Sequence, residues 1–229
     1  MIDIRPFDTL GHFKNGWLDA RHHFSFGQYR DDARMGLGAL RVWNDDAIAA
    51  RTGFDPHPHR DMEIITYVRT GAITHTDSLG NQGRTEAGDV QVMHAGSGIV
   101  HGEFNNEDTE TRLFQIWLMP NKTGVEPGWE ARTFPASGTG LQALAAGDGR
   151  CGAIKLHADG AVLAGRLAKG ETVHHRLAPG AVAYLVPAAG RVTVNGIGVN
   201  TRDGAAISGE TEIAITAQED AEVVIVESI

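Results

Sequence analysis

The chain is short of sulfur, of positive charge and of long apolar runs, and each shortage excludes something. One cysteine, Cys151, stands among 229 residues, so no intrachain disulfide can form and the chain suits a reducing compartment. No histidine or basic residue near it in sequence is placed to activate the thiol, and Cys151 reads as a small core residue. Lys and Arg number 20 against 29 Asp and Glu, a formal charge of −9, and no basic run interrupts the balance. The electrostatic footprint of a nucleic-acid binder is therefore missing, and direct nucleic-acid binding is not expected. No stretch approaches the roughly 18 apolar residues of a spanning helix. Asp3 and Arg5 stand where a secretory peptide would carry its apolar core, so a soluble, cytoplasmic protein with no membrane association is expected.

A long helical period is absent too. What fills the chain instead is a succession of short β-type runs with turn signals between them. Residues 1 to 35 carry Trp17, Phe24, Phe26 and Tyr29 and read as an ordered arm, with His22-His23-Phe24-Ser25-Phe26 an extended segment that packs its aromatics on a neighbour. Leu37 to Val42 reads as a strand. Asn44-Asp45-Asp46 before Ala47-Ile48-Ala49-Ala50 reads as a capped single helical turn. Glu63 to Val68, Ile73 to Asp77, Val90 to Met93, Ile99 to Phe104 and Arg112 to Met119 read as strands, separated by Arg69-Thr70-Gly71, by Ser78 to Gly83 and by Ala95-Gly96-Ser97-Gly98. Gly124, Pro127, Gly128, Pro135, Gly138 and Gly140 read as a linker. All four Trp and all eight Phe precede residue 135, and a second strand series with few aromatics follows it. Two β domains are expected, residues 1–134 and 135–229, each a closed barrel or jelly roll.

Two short stretches carry the chemistry. In His57-Pro58-His59 and His101-Gly102-Glu103 the residues at i and i+2 share a strand face, so each is a two-toothed clamp. Three imidazoles with a carboxylate make an N/O ligand set suited to Fe, Ni, Cu, Mn, Co or Zn, and no thiolate is needed. The competing structural readings are a polar turn around Pro56 and Pro58, and a buried hydrogen-bonded pair at His101 and Glu103. After residue 135 only His157, His174 and His175 occur; adjacent His174 and His175 would point to opposite faces of a strand.

Gly53-x₃-His57-x-His59-x₃-Glu63-x₇-Gly71 resembles the first cupin motif. Gly88-x₁₂-His101-x₃-Asn105 resembles the second, with two residues more than usual before the histidine. The runs His22 to Phe26, Phe54 to Glu63, Gly88 to Gln91 and Ala95 to Glu103 resemble, more specifically, the pirin family and its bacterial quercetin 2,3-dioxygenase-like members. The resemblance is strong over about the first 130 residues and holds in outline beyond them.

It implies an all-β bicupin, two jelly-roll barrels in tandem. One divalent metal, iron before Ni, Cu, Mn, Co or Zn, would be held in the first barrel by His57, His59, His101 and Glu103, with none in the second. In ordinary cupins the ligand is the glutamate at the Glu63 position; the pirin-like pattern gives that place to Glu103 and leaves Glu63 as a hydrogen-bond acceptor. His75 and His94 read as structural and Phe54, Met93, Ile116 and Trp117 as barrel packing, with the lining of a substrate cavity as the alternative for all six, and Arg60 and Asp61 read as a charge network. The implied activity is oxygenolytic ring opening of quercetin-like flavonols, with a small aromatic substrate, dioxygen and Glu103 as the base. The alternatives are a metal-dependent regulator acting through protein partners and a cupin enzyme acting on another small oxygenated molecule.

Overall fold

The computed structural model describes residues 1–134, 140–150 and 152–229. Cys151 and the linker positions Pro135 and Gly138 lie outside the described residues, as does the start of the second expected domain. Among the described residues the regular structure is β-strand with two short 3₁₀ turns, Phe7–Thr9 and Asp32–Arg34. No helix among the described residues is long and apolar enough to cross a membrane.

The strands form two jelly-roll barrels, each a seven-stranded sheet facing a four-stranded one. In the first barrel the large sheet holds Leu18–His22, Leu40–Ile48, Glu63–Thr70, Val90–His94 and Thr111–Leu118, flanked by Gly11–Lys14 and Gly128–Arg132. Its small sheet runs Thr52–His59, Ile99–Asn105, Ala72–Asp77, Gln82–Glu86. The second barrel repeats this plan after residue 140, with one exchange. Strand Ile2–Arg5, which the expected boundary places in the first domain, pairs with Gly204–Ser208 of the second.

The two large sheets pack face to face. Trp43, Ile65, Phe114, Ile116 and Leu118 from one meet Val162, Tyr184, Val186, Val224 and Val226 from the other in a single buried cluster. Thr111–Leu118 shows why the sequence alternates so weakly there: Phe114, Ile116 and Leu118 face this interface, while Leu113 and Trp117 pack with other apolar groups on the opposite face. Asp45 is buried at the seam, bonded by Arg69 of the first barrel and Arg202 of the second. Phe24, on the expected aromatic arm, packs against Tyr184, centroids 4.9 Å apart.

Two expectations need correction. Asn44 to Ile48 is not a capped turn but the end of strand Leu40–Ile48, paired on both sides, with Leu18–His22 and with Thr111–Leu118. The three polar residues that suggested a cap are buried in the sheet, so tertiary neighbours override local propensity. Likewise the supposed linker contains strand Gly128–Arg132, paired with Val90–His94, because Trp129 has a buried neighbour to cover.

The barrels differ inside. The second is filled by apolar side chains, among them Leu185, Val192, Ile207, Ile213, Ile215, Val223 and Ile225. In the first, apolar clusters around Leu113 and around Met93 leave between them a belt of polar residues.

Candidate metal centre

Strands Thr52–His59 and Ile99–Asn105 are adjacent and antiparallel, and their register sets His101 opposite His57 and Ile99 opposite His59. The close approach depends on Gly53, since a Cβ there would lie 2.3 Å from the Glu103 carbonyl oxygen. Ring centroids of His57, His59 and His101 are 4.6 to 5.0 Å apart, and one nitrogen from each ring lies within 4.8 Å of the others. Among the described residues this is the one such cluster of histidine, cysteine or carboxylate groups.

The tautomers suit ligation. His57 Nδ1 sits 2.7 Å from the Asp55 carbonyl, so it carries the proton and leaves Nε2 free. His59 Nε2 and both His101 nitrogens are buried without hydrogen-bond partners among the described residues. Orphaned imidazole nitrogens converging on one point are costly unless something binds there. Burial, then the neighbouring imidazoles, push His101 down to about 3, and burial, then His57, push His59 down to about 4. Both are neutral at physiological pH, as metal ligands must be. The arrangement fits one divalent cation.

Glu103 lies two residues from His101 on the same strand face, but its carboxylate stands outside the histidine triangle. One oxygen accepts from Thr66 Oγ1 at 3.1 Å and Gln91 Nε2 at 2.6 Å, the other from Gln115 Nε2 at 2.7 Å. Burial raises this carboxyl to about 7, with the three donors opposing the rise. Thr66, Gln91 and Gln115 were not foreseen from the sequence. The signal was present, since Gln91 lies between Val90 and Val92, and Gln115 between Phe114 and Ile116.

Glu63 is turned elsewhere. Its Oε2 accepts from His94 Nδ1 at 2.6 Å and from the His157 backbone N–H at 3.0 Å, which ties the first barrel to the second. His75 is buried beside His101, centroids 5.4 Å apart, with Nε2 3.0 Å from Asp77. Trp129 stacks on His75, at 4.9 Å and 7° from parallel, over Gly83, where a Cβ would lie 2.1 Å from the indole. Ile116 and Met93 are packing residues. Trp117 stands edge-on to His59, 5.0 Å away, and Phe54 lines a cavity of about 430 Å³ reaching Gln115 and the N-terminal arm.

Residues 4–118 match the Pirin family model, and residues 143–227 match the model of the quercetinase C-terminal cupin domain. The chain belongs to the pirin family. Among curated pirin relatives, a pirin-like protein of Caulobacter vibrioides is 54% identical over 231 residues, covering 100% of each chain. The quercetin 2,3-dioxygenase of Escherichia coli K12 is 44% identical over 226 residues, 98% of this chain and 97% of that one. The crystal structure of the bacterial pirin YhhW from Escherichia coli in complex with nickel(II) superposes with a TM-score of 0.95 at 43% identity, covering 100% of this pirin and 99% of that chain.

Proposed function

We propose that the protein is a metal-dependent dioxygenase that opens the heterocyclic ring of quercetin-like flavonols. The observation that carries this reading is the convergence of three imidazoles, two with orphaned nitrogens among the described residues, together with a cavity of apolar walls and a few polar groups that Gln115 links to Glu103. A family relative of 44% identity bears the corresponding name.

His57, His59 and His101 would hold the cation, and Glu103 would complete the set, its carboxylate oriented by Thr66, Gln91 and Gln115. Three histidines and one carboxylate leave room for a substrate, unlike the closed shell of a structural site. A bound divalent metal would supply Lewis acidity to the flavonol 3-hydroxyl, lowering its pKa. Glu103, the carboxylate in the set, accepts the hydroxyl proton. Gln91 and Gln115 fix the carboxylate during the transfer. Phe54, on the cavity wall, excludes water and supports a planar ligand.

In the overall reaction the flavonolate supplies the electrons. Dioxygen adds across its heterocycle, the two C–C bonds to C3 break, C3 leaves as carbon monoxide, and both oxygen atoms remain in the ester-linked carboxylic acid product. The native metal is proposed to be iron. The cytoplasm is proposed as the place of action.

Oxygen uptake after adding quercetin to metal-loaded protein tests this reading. Uptake matched to quercetin consumed is expected; no uptake with any of several divalent metals would favour a regulatory role through protein partners.

A further inference from the structure

A cavity that Gln115 joins to Glu103 contains a group that the reaction above does not use. Its walls are Phe26 and Tyr29 of the N-terminal arm with Phe54, and its polar side carries His22, Asn44, Asp46 and Gln115. The volume, about 430 Å³, falls in the range of small-molecule pockets, roughly 300–1,000 Å³. Most of the polar groups are matched: His22 Nδ1 meets Asn44 Oδ1 at 2.8 Å, and Gln115 spans from Trp117 Nε1 to Glu103.

Asp46 is not. It is 2% exposed, lines the cavity, and its Oδ1 has no hydrogen-bond partner among the described residues. Its neighbour Asp45 is engaged by two arginines on the opposite face of the strand, so Asp46 has been left without a cation. A buried carboxyl oxygen without a partner is costly in a site with no other purpose. Gln115, hydrogen-bonded to Glu103 and also lining the cavity, connects this chamber to the metal centre.

We infer that this chamber seats the part of the substrate remote from the metal, and that Asp46 is a specificity-determining residue that selects substrates bearing a phenolic hydroxyl there. The inference rests on the dioxygenase reading for its substrate class. Burial, then the nearby Asp45 and Glu103 charges, raise the Asp46 carboxyl well above the usual range against the opposing Arg69, which favours its protonated form. A neutral carboxyl both donates and accepts, and a phenol does the same. Asn at this position would keep both capacities; Leu would keep the bulk and neither.

The test uses two probes without a 3-hydroxyl, neither of which can be opened: unsubstituted flavone, and apigenin, which carries phenol groups on both terminal rings. Their affinities for metal-loaded wild type, Asp46→Asn and Asp46→Leu are read from quenching of tryptophan fluorescence, with metal content as the check on folding. Wild type and Asp46→Asn should prefer apigenin by about tenfold, the scale of one buried hydrogen bond, and Asp46→Leu should bind the two about equally. An undiminished preference in Asp46→Leu, no preference in wild type, or binding of neither probe overturns the inference. Asp46-dependent binding without any flavonol turnover would sink the dioxygenase reading and leave the subsite standing. Turnover with no dependence on Asp46 would do the reverse.

Discussion

His57 and His101 face each other as a register pair on adjacent antiparallel strands, their ring centroids 4.6 Å apart, and among the described residues no hydrogen bond satisfies either nitrogen of His101. A site preorganised in this way should bind one cation per chain, and losing either ring should open it. His101→Ala should weaken divalent metal binding by about 100-fold or more, beyond the effect of removing an orienting neighbour. Elemental analysis of the reconstituted proteins checks this. A wild-type ratio near two, or an alanine variant that retains its metal, would refute the single three-histidine site.

The two glutamates should separate by phenotype. Glu103→Gln should reduce metal affinity and turnover, because its carboxylate sits among Thr66, Gln91 and Gln115 beside the histidines. Glu63→Gln should leave metal content nearly intact and instead lower the melting temperature by about 3 °C or more, through the weakened contact with His94 and the His157 backbone. The reverse ranking for metal content would indicate the ordinary cupin ligand arrangement.

The three histidines were legible because a strand repeats every two residues, so His57 and His59 share a face whatever surrounds them, whereas His101-x-Glu103 gave the face but not the position of the Glu103 carboxylate, which stands outside the triangle. Adjacent His174 and His175 were legible for the same reason: His174 bonds Glu212 at the surface, while His175 meets the half-buried Glu227. Asn44-Asp45-Asp46 was not legible. Three polar residues before Ala and Ile look like a helix cap, and the partners that bring two of them inside, His22 for Asn44 and Arg69 and Arg202 for Asp45, are remote in sequence. Strand Ile2–Arg5 joins the second barrel for an equally non-local reason, its pairing with residues two hundred positions away.

Metal uptake should release a proton from the carboxyl and not from the two depressed imidazoles. At pH 6 His59 and His101, pushed down to about 4 and about 3, are already neutral, whereas Glu103, raised to about 7, is mostly protonated. Binding it as a carboxylate therefore releases about one proton more in wild type than in Glu103→Gln. Titration calorimetry in buffers of different ionisation enthalpy measures the difference. Equal release from both proteins would place Glu103 outside the ligand set.

Gly83 should tolerate no side chain. A Cβ there would meet Trp129 at 2.1 Å and push the indole off His75, so Gly83→Val should destabilise the fold by about 1–3 kcal/mol. Chemical denaturation measures the loss. Wild-type stability in this variant would mean that Trp129 is free to move away.

The dioxygenase reading is tested most directly by the carbon monoxide released per quercetin consumed under air, measured side by side for metal-loaded protein, metal-stripped protein and His101→Ala. A ratio near one for the loaded protein is expected, with quercetin loss in the other two no faster than in buffer. Equal quercetin loss in loaded and stripped protein, or loss without carbon monoxide, would contradict it.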